Sequence, residues 1–120
     1  MPQVEPRPSQ IAGRGLFAIR PVPAGTSFPD VDRALLNHSC DPNLGWSRET
    51  LVSLRDVEDG DEITVDYATF TSDPSFSMFC HCETYRCRQV IEGGDWRIPQ
   101  LQQRYAGRWH PDVQRLLDSL

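Results

Sequence analysis

The chain has 120 residues, 38% of them hydrophobic, and a formal net charge of −5. This length allows one small domain with a modest core, to whose stability a bound metal would add. The negative charge argues against direct binding to nucleic acid and favours basic partners. All 12 basic residues are arginine, so the chain has no lysine of its own to modify.

The sequence also bears on the compartment in which the protein works. No apolar run approaches the roughly 18 residues that a membrane span requires. Residues 1–5 lack the charged and apolar blocks of a signal peptide. We therefore expect no membrane association and a location in the cytosol, or in the nucleus if the source is eukaryotic. Thiols stay reduced there, and clustered cysteines usually bind metal.

Short β elements are predicted for the first 70 residues. Alternation of apolar and polar residues and the positions of glycine and proline indicate them. In chain order they are a loop and strand over 13–20, a turn over 21–25, a strand start at 24–28, a strand over 51–55, a turn over 58–61 and a strand over 62–67.

The remainder of the chain has a different character. Residues 71–92 are rich in Ser, Thr and Cys and are predicted to form a loop whose conformation a metal determines. A short helix is predicted near 99–105. A second begins at Pro111, a residue suited to a first helical position, and its apolar residues recur at helical spacing.

The four cysteines predict a zinc site. Cys80, Cys82 and Cys87 form a C-x-C-x4-C cluster, which is one ligand short of the tetrahedral set that zinc prefers, and Cys40 can supply the fourth. Four sulfur ligands leave no open position, so the predicted site is structural rather than catalytic. Unconnected structural thiols and disulfides remain as alternatives, although one intervening residue makes a Cys80–Cys82 disulfide difficult.

Three further features are ambiguous when each is taken alone. The polar run from Asn37 to Asn43 could be a turn in which side chains bond their own backbone. Tyr67 could be a half-buried strand residue, and the Gly13-x-Gly15 pair is common in loops. Their occurrence together, and in this order, changes the interpretation.

The ordered set is Gly-Arg-Gly-Leu-Phe-Ala at 13–18, Asn-His-Ser-Cys-Asp-Pro-Asn at 37–43, Gly-Asp-Glu-Ile-Thr-Val-Asp-Tyr at 60–67 and the cysteine cluster at 80–87. It resembles the SET domain of protein-lysine methyltransferases with its cysteine-rich post-SET segment, over roughly residues 9–92. The resemblance implies a mainly β, β-clip fold of small curled sheets with a pseudoknot-like core. It also implies a zinc-stapled post-SET loop, which a short helical C-terminal tail would follow.

The resemblance also implies roles for individual residues. S-adenosylmethionine would bind on one side of the domain, and a lysine of a basic protein or peptide would enter from the other. Tyr67 would be the catalytic tyrosine, and zinc would be structural. The residues implied for the cofactor are Gly13, Arg14, Gly15, Leu16, Asn37 and His38, and those implied for zinc are Cys40, Cys80, Cys82 and Cys87.

The sequence departs from the family pattern in its middle. Only 18 residues, 19–36, separate the cofactor loop from Asn37, where family members carry several dozen, so a substrate-binding insert is expected to be missing near 27–33. A minimal natural member, a deletion and a stretch omitted from the sequence are the competing explanations. A minimal member could borrow the missing wall from a second subunit, which makes a homodimer possible.

The expected organisation is a shortened SET domain at 9–70, a post-SET zinc segment at 71–92 and a helical tail at 93–120. Three functions compete. The first is lysine methylation dependent on S-adenosylmethionine. The second is a non-catalytic SET-like interaction module that keeps the fold, and the third is a structural zinc domain. The intact Tyr67 and Asn37-His38 favour the first.

Overall fold

The computed structural model describes residues 3–120, within which nine short strands and two helices form. The strands are β1 Val4–Pro8, β2 Arg14–Ala18, β3 Ser27–Phe28, β4 Asn37–His38, β5 Leu44–Ser47, β6 Thr50–Ser53, β7 Glu62–Val65, β8 Ser77–Phe79 and β9 Val90–Glu92. The helices are α1 Pro99–Arg104 and α2 Pro111–Asp118, and 3₁₀ turns lie at Arg33–Leu35, Tyr67–Thr69 and Asp95–Arg97.

Strand β7 is the centre of the main sheet, whose strands follow the order β1-β2-β7-β5-β6-β3. On one side β2 pairs with it antiparallel, placing Leu16 opposite Ile63. Strand β5 pairs with it in parallel on the other side through Leu44 and Val65, and β4 pairs in parallel with its second half, where Asn37 lies opposite Thr64. Strands β8 and β9 form a separate two-stranded sheet. The predicted mainly β fold of small sheets is therefore confirmed.

Three hydrophobic clusters hold these elements together. The largest is formed mainly by side chains from the main sheet and includes Trp46 and Ile63, which are 1% and 0% exposed. A second packs Trp96, Tyr105 and Trp109 of the C-terminal region against Ala68. The third surrounds the cysteines and Ile91. The C-terminal helices thus pack directly on the turn that carries Tyr67, so the tail is part of the fold around the site.

The predicted strand at 62–67 is two residues too long. Strand β7 ends at Val65 because the Asp66 side chain accepts a hydrogen bond from the Ala68 backbone N–H at 3.0 Å. This cap begins the 3₁₀ turn, and Tyr67 is its first residue rather than a strand residue. A side chain bonded to its own nearby backbone competes with the sheet hydrogen bonds, which sequence alternation does not reveal.

Other predicted elements need smaller corrections. The 71–92 segment is not entirely loop, because β8 and β9 pair within it. Residues 37–38 form a strand rather than a turn, and β1 and β5 were not predicted. The strands at 14–18 and 50–53 and both helices lie where the sequence placed them, within one or two residues.

The short middle of the chain runs continuously through residues 26–36. Strand β3 pairs with β6, a turn follows at 29–30, and a 3₁₀ turn leads to β4. No additional strand or helix lies between β3 and that 3₁₀ turn in the part of the chain the structure describes. Across the same residues, 3–120, neither helix has the length and apolar character that crossing a membrane requires.

Candidate functional site

The four cysteine side chains converge on one point. Their sulfur atoms all lie within 4.8 Å of one another, and Cys40 Sγ is 3.8 Å from Cys80 Sγ. Tetrahedral zinc with sulfur ligands at about 2.3 Å separates those sulfurs by about 3.8 Å. All four cysteines are free, which contradicts disulfides, and their convergence contradicts unconnected thiols. His81, between two of them, is exposed and is not part of the cluster.

The surroundings of the cysteines suit a bound cation. Burial raises the pKa of Cys40 to about 11 and also raises the pKa of Cys80, so these thiols need a nearby positive charge to ionise. Burial acts in the same direction on Cys82, but hydrogen bonds with Thr84 outweigh it and lower the pKa of that thiol to about 6. Backbone N–H groups also point at sulfur, since Arg88 donates to Cys40 Sγ at 3.3 Å. The donor set therefore fits structural zinc.

His38 links the cysteine cluster to the tyrosine turn. Its Nδ1 accepts the Tyr67 backbone N–H at 3.0 Å, so the ring proton lies on Nε2, which is 3.3 Å from Cys40 Sγ. The ring is buried, and this burial lowers the pKa of His38 to about 4. Both ring nitrogens thus have protein partners, and the residue as a whole is 1% exposed, so the His38 side chain offers no free polar atom to a ligand.

Tyr67 has a polar contact at its hydroxyl and aromatic contacts around its ring. Its hydroxyl donates to the Leu36 backbone carbonyl at 2.5 Å, and burial raises its pKa. Its ring makes edge or tilted contacts with His38, Phe70 and Phe76, at centroid distances of 5.3, 5.3 and 6.4 Å. The phenol is therefore a neutral, aligned hydrogen-bonding group within an aromatic enclosure.

The predicted cofactor loop lies beside an open cleft of about 460 Å³. The cleft is bounded by Gln10, Ile11, Phe17, Asp61, Glu62, His81 and Glu83, among others, so residues on either side of the glycine loop face the zinc segment across it, while none of the six predicted cofactor residues lines it. Asn37 Nδ2 lies 3.0 Å from Ala12 O, 3.2 Å from Arg14 O and 2.8 Å from Glu62 Oε2, which ties β4 to the glycine loop.

Gly15 is required by this arrangement. A Cβ there would lie 2.1 Å from Glu62 Oε2 and 3.0 Å from Asn37 Nδ2. Gly13 has φ +45°, a conformation that favours glycine. The structure thus brings Gly13, Gly15 and Asn37 together, whereas Leu16 packs into the core on the other face of β2.

The structure reveals site residues that sequence reasoning missed. Glu62 contacts Asn37 and also accepts a hydrogen bond from Ser9 Oγ at 2.7 Å. Phe70 and Phe76 enclose Tyr67, and the only sequence signal for them was two aromatic residues within ten positions after it. Arg88 directly follows the last cysteine, yet nothing local in the sequence indicates its partner.

Arg88 forms the central ion pair of the site. Its Nη1 and Nη2 donate to the two oxygens of Asp66 at 2.7 and 3.0 Å, and Nη2 also reaches Asp95 at 3.1 Å. The Asp66 side chain is 0% exposed and also accepts the Tyr105 hydroxyl at 2.9 Å. Burial alone would raise the pKa of Asp66, but the hydrogen bonds and charge of Arg88 keep it below its usual value. One carboxylate thus connects the zinc segment, the tail and the tyrosine turn.

Replacing Arg88 by leucine should destabilise the fold strongly. The substitution leaves the Asp66 carboxylate buried without its cation, which typically costs about 3–5 kcal/mol. Urea unfolding of the zinc-loaded protein measures this loss. The control is Arg115→Leu, which breaks an exposed pair with Asp112 and should cost about 1 kcal/mol or less. Equal losses in the two variants would contradict the role given to the Arg88–Asp66 pair.

Removing zinc should release the segment that carries Cys80, Cys82 and Cys87. Elemental analysis should find one zinc ion per chain. A chelator should then make the bond after Arg86 sensitive to trypsin, because residues 80–89 between β8 and β9 form no strand or helix and the metal fixes their position. Cleavage after Arg48, an exposed turn residue outside the segment, serves as the internal control. Absence of bound zinc, or protection unchanged by the chelator, would count against the assigned site.

Comparison with known proteins agrees with this geometry. Residues 27–68 match the SET domain, which includes Asn37, Cys40 and Tyr67. The chain is 38% identical over 78 residues, or 58% of its length, to histone-lysine N-methyltransferase ash1 of Drosophila melanogaster. It is 33% identical over 64 residues, or 47% of its length, to histone-lysine N-methyltransferase 2B of Homo sapiens.

The matched regions are small parts of those relatives, 4% of the ash1 protein and 2% of the human protein. A probable histone-lysine N-methyltransferase of Caenorhabditis elegans, lin-59, is 31% identical over 81 residues, which are 61% of this chain and 6% of that protein. The matched SET domain, these similarities and the four-cysteine cluster agree: residues 27–68 match a SET domain, the chain is similar to histone-lysine N-methyltransferases over about half of its length, and its cysteine cluster fits a zinc site of the post-SET type.

Proposed function

We propose that this chain transfers methyl groups from S-adenosylmethionine to lysine side chains of a basic protein. The observation that carries the proposal is the position of Tyr67. It begins a capped turn at the end of β7, its hydroxyl is held by the Leu36 carbonyl, and aromatic rings enclose it. The three relatives, all named as histone-lysine N-methyltransferases or a probable one, support the same reaction class.

The chemistry requires alignment more than acid or base. Methyl transfer from a sulfonium to an amine is an in-line displacement, in which the nitrogen forms a bond to the methyl carbon as the carbon–sulfur bond breaks. A free lysine has a pKa near ~10.4, so the ammonium must first lose a proton, and a desolvated channel lowers its pKa. The remaining barrier is largely orientation, which rigid neutral groups such as the Tyr67 hydroxyl and the Leu36 carbonyl supply.

The donor is proposed to occupy the cleft beside the glycine loop. Gly13, Arg14, Gly15 and Asn37 would hold its amino-acid end, with the backbone of His38 near its base. Leu16 would contribute to this site only through its backbone, because the residue is packed in the core and is 4% exposed. The zinc ligands Cys40, Cys80, Cys82 and Cys87 would fix the opposite wall of this cleft without taking part in the transfer.

A second candidate is a non-catalytic SET-like module that binds a partner. The short segment between β3 and β4 favours it, because one 3₁₀ turn replaces the insert expected to line a substrate groove. Under either function the proposal includes basic partners, a cytosolic or nuclear location and a possible homodimer. It also includes division of the chain into a SET domain, a post-SET segment and a tail, with boundaries after residues 70 and 92.

Replacing Tyr67 by phenylalanine should reduce methyl transfer. The assay uses zinc-loaded protein, labelled S-adenosylmethionine and a panel of lysine-containing basic proteins and peptides. Loss of one aligned hydroxyl should lower kcat by about 10²-fold or more, with little change in donor binding. Tyr85→Phe is the control, because that side chain is 84% exposed. Donor binding without transfer to any member of the panel would favour the non-catalytic module.

Replacing Gly15 by alanine should weaken binding of S-adenosylmethionine. The new methyl group would displace the ends of the Glu62 and Asn37 side chains, and returning them to their places in the proposed site would cost about 1–3 kcal/mol on binding, so affinity should fall by about tenfold or more. Calorimetry measures the change. Gly94→Ala is the matched control, since a Cβ there has no atom within 4 Å. Unchanged affinity in Gly15→Ala would place the donor elsewhere.

A further inference from the structure

A second, apolar cavity lies beside the short middle segment. This apolar groove has a volume of about 470 Å³ and is lined mainly by Val4, Pro6, Leu16, Phe28, Val31 and Leu35. The carboxyl residues Asp30 and Asp32 lie at its edge and are exposed. The segment that joins β3 to the 3₁₀ turn forms one wall, so the groove occupies the place where the sequence predicts a missing insert.

The groove and the donor cleft lie on opposite faces of β2. Successive side chains of a strand point to opposite sides of a sheet. Leu16 lines the groove, whereas its neighbour Phe17 lines the donor cleft and Gly15 touches Glu62 beside that cleft. In an in-line displacement the nucleophile approaches the methyl carbon from the side opposite the sulfonium. An acceptor on the groove's face of β2 would therefore approach from the side opposite a donor held in the cleft.

The groove also adjoins Tyr67 along the chain. Leu35 lines the groove, and the next residue, Leu36, accepts the Tyr67 hydroxyl through its carbonyl. Consecutive α-carbons are about 3.8 Å apart, so the groove begins within a few ångströms of the backbone that holds the tyrosine. A peptide whose lysine reaches Tyr67 thus has neighbouring residues within reach of the groove.

Charge indicates what occupies the groove. Neither Asp30 nor Asp32 forms an ion pair with a residue in the range 3–120. A second copy of this chain would bring a net charge of −5 to an acidic edge, and it contains no lysine to offer. An arginine- or lysine-rich peptide has the complementary charge.

We propose that the apolar groove binds one apolar side chain of a basic peptide, close in sequence to the lysine that is methylated, while Asp30 and Asp32 attract the peptide's positive charges. This inference rests on the proposed function for the identity of the lysine as acceptor. It adds that the short middle segment itself supplies a substrate contact, and that the substrate is selected for an apolar residue near its lysine.

The test uses fluorescein-labelled peptides of 11 residues that contain arginine, serine and one central lysine. In separate peptides, a single leucine occupies in turn each position except that of the lysine. Binding to the zinc-loaded full chain is measured by fluorescence anisotropy, and KM by transfer from labelled S-adenosylmethionine. Leucine at one or two positions near the lysine should tighten binding by about tenfold, since burial of such a side chain is worth about 1.5–3 kcal/mol.

Two variants examine the two parts of the groove. Val31→Ser should abolish the preference for leucine while leaving kcat for the serine peptide unchanged. The double variant Asp30→Asn with Asp32→Asn should weaken all arginine-rich peptides several-fold and reduce their salt dependence. Asparagine at 32 keeps the oxygen that accepts the Ala34 N–H, so the 3₁₀ turn is retained. Asp118→Asn, on helix α2, removes a charge outside the groove as a control and should change neither quantity.

The outcomes separate this inference from the proposed function. Transfer with equal KM for leucine and serine peptides would overturn the groove and leave the methyltransferase function intact. A leucine preference in binding, abolished by Val31→Ser but without transfer, would support the groove and contradict the catalytic function. A dimer that Val31→Ser dissociates in sedimentation would identify the groove as a contact between two copies and overturn the inference.

Discussion

The buried Asp66 carboxylate organises the parts of this protein that matter for its chemistry. It caps the turn that starts at Tyr67, receives two hydrogen bonds from Arg88 and accepts the hydroxyl of Tyr105. A carboxylate without exposure is tolerated only when its charge is compensated and its oxygens are hydrogen-bonded. The zinc segment and the C-terminal tail therefore cannot rearrange without leaving this charge uncompensated, and the position of Tyr67 depends on both of them.

The cysteine cluster acts on the site through the protein and not through an open coordination position. Cys40 lies in the chain between β4 and β5, and His38 connects its sulfur to the backbone of Tyr67. A metal held by these cysteines would thus fix the wall of the donor cleft and, through the neutral imidazole, the start of the tyrosine turn. In other metal sites hydrogen bonds of this kind orient the side chains that bind the ion; here the same contact would also orient a group that the ion does not touch.

Strand β2 presents its two faces to two different cavities. Its glycine loop and Phe17 border one cleft, Leu16 borders the apolar groove, and β7 lies beside it with Glu62 and the tyrosine turn at its two ends. The alternation of side chains in a strand separates the two openings by the thickness of one sheet. Under the proposed function, a chain with this short middle segment would keep a donor side and an acceptor side.

The sequence by itself determined the four-cysteine cluster, the order of the motifs and most strand and helix positions, because ligand spacing and periodicity are local properties. It did not place Tyr67 outside β7, since the Asp66 cap competes with the sheet through a single side-chain hydrogen bond. Nor could it pair Arg88 with Asp66, assign the His38 side chain to the protein's own network, or place Glu62 against Gly15. The Arg88–Asp66, His38–Tyr67 and Glu62–Gly15 contacts join residues 22, 29 and 47 positions apart. Pairing of β7 with β2 and β4 brings the last two together, and packing of the zinc segment onto the sheet brings Arg88 to Asp66.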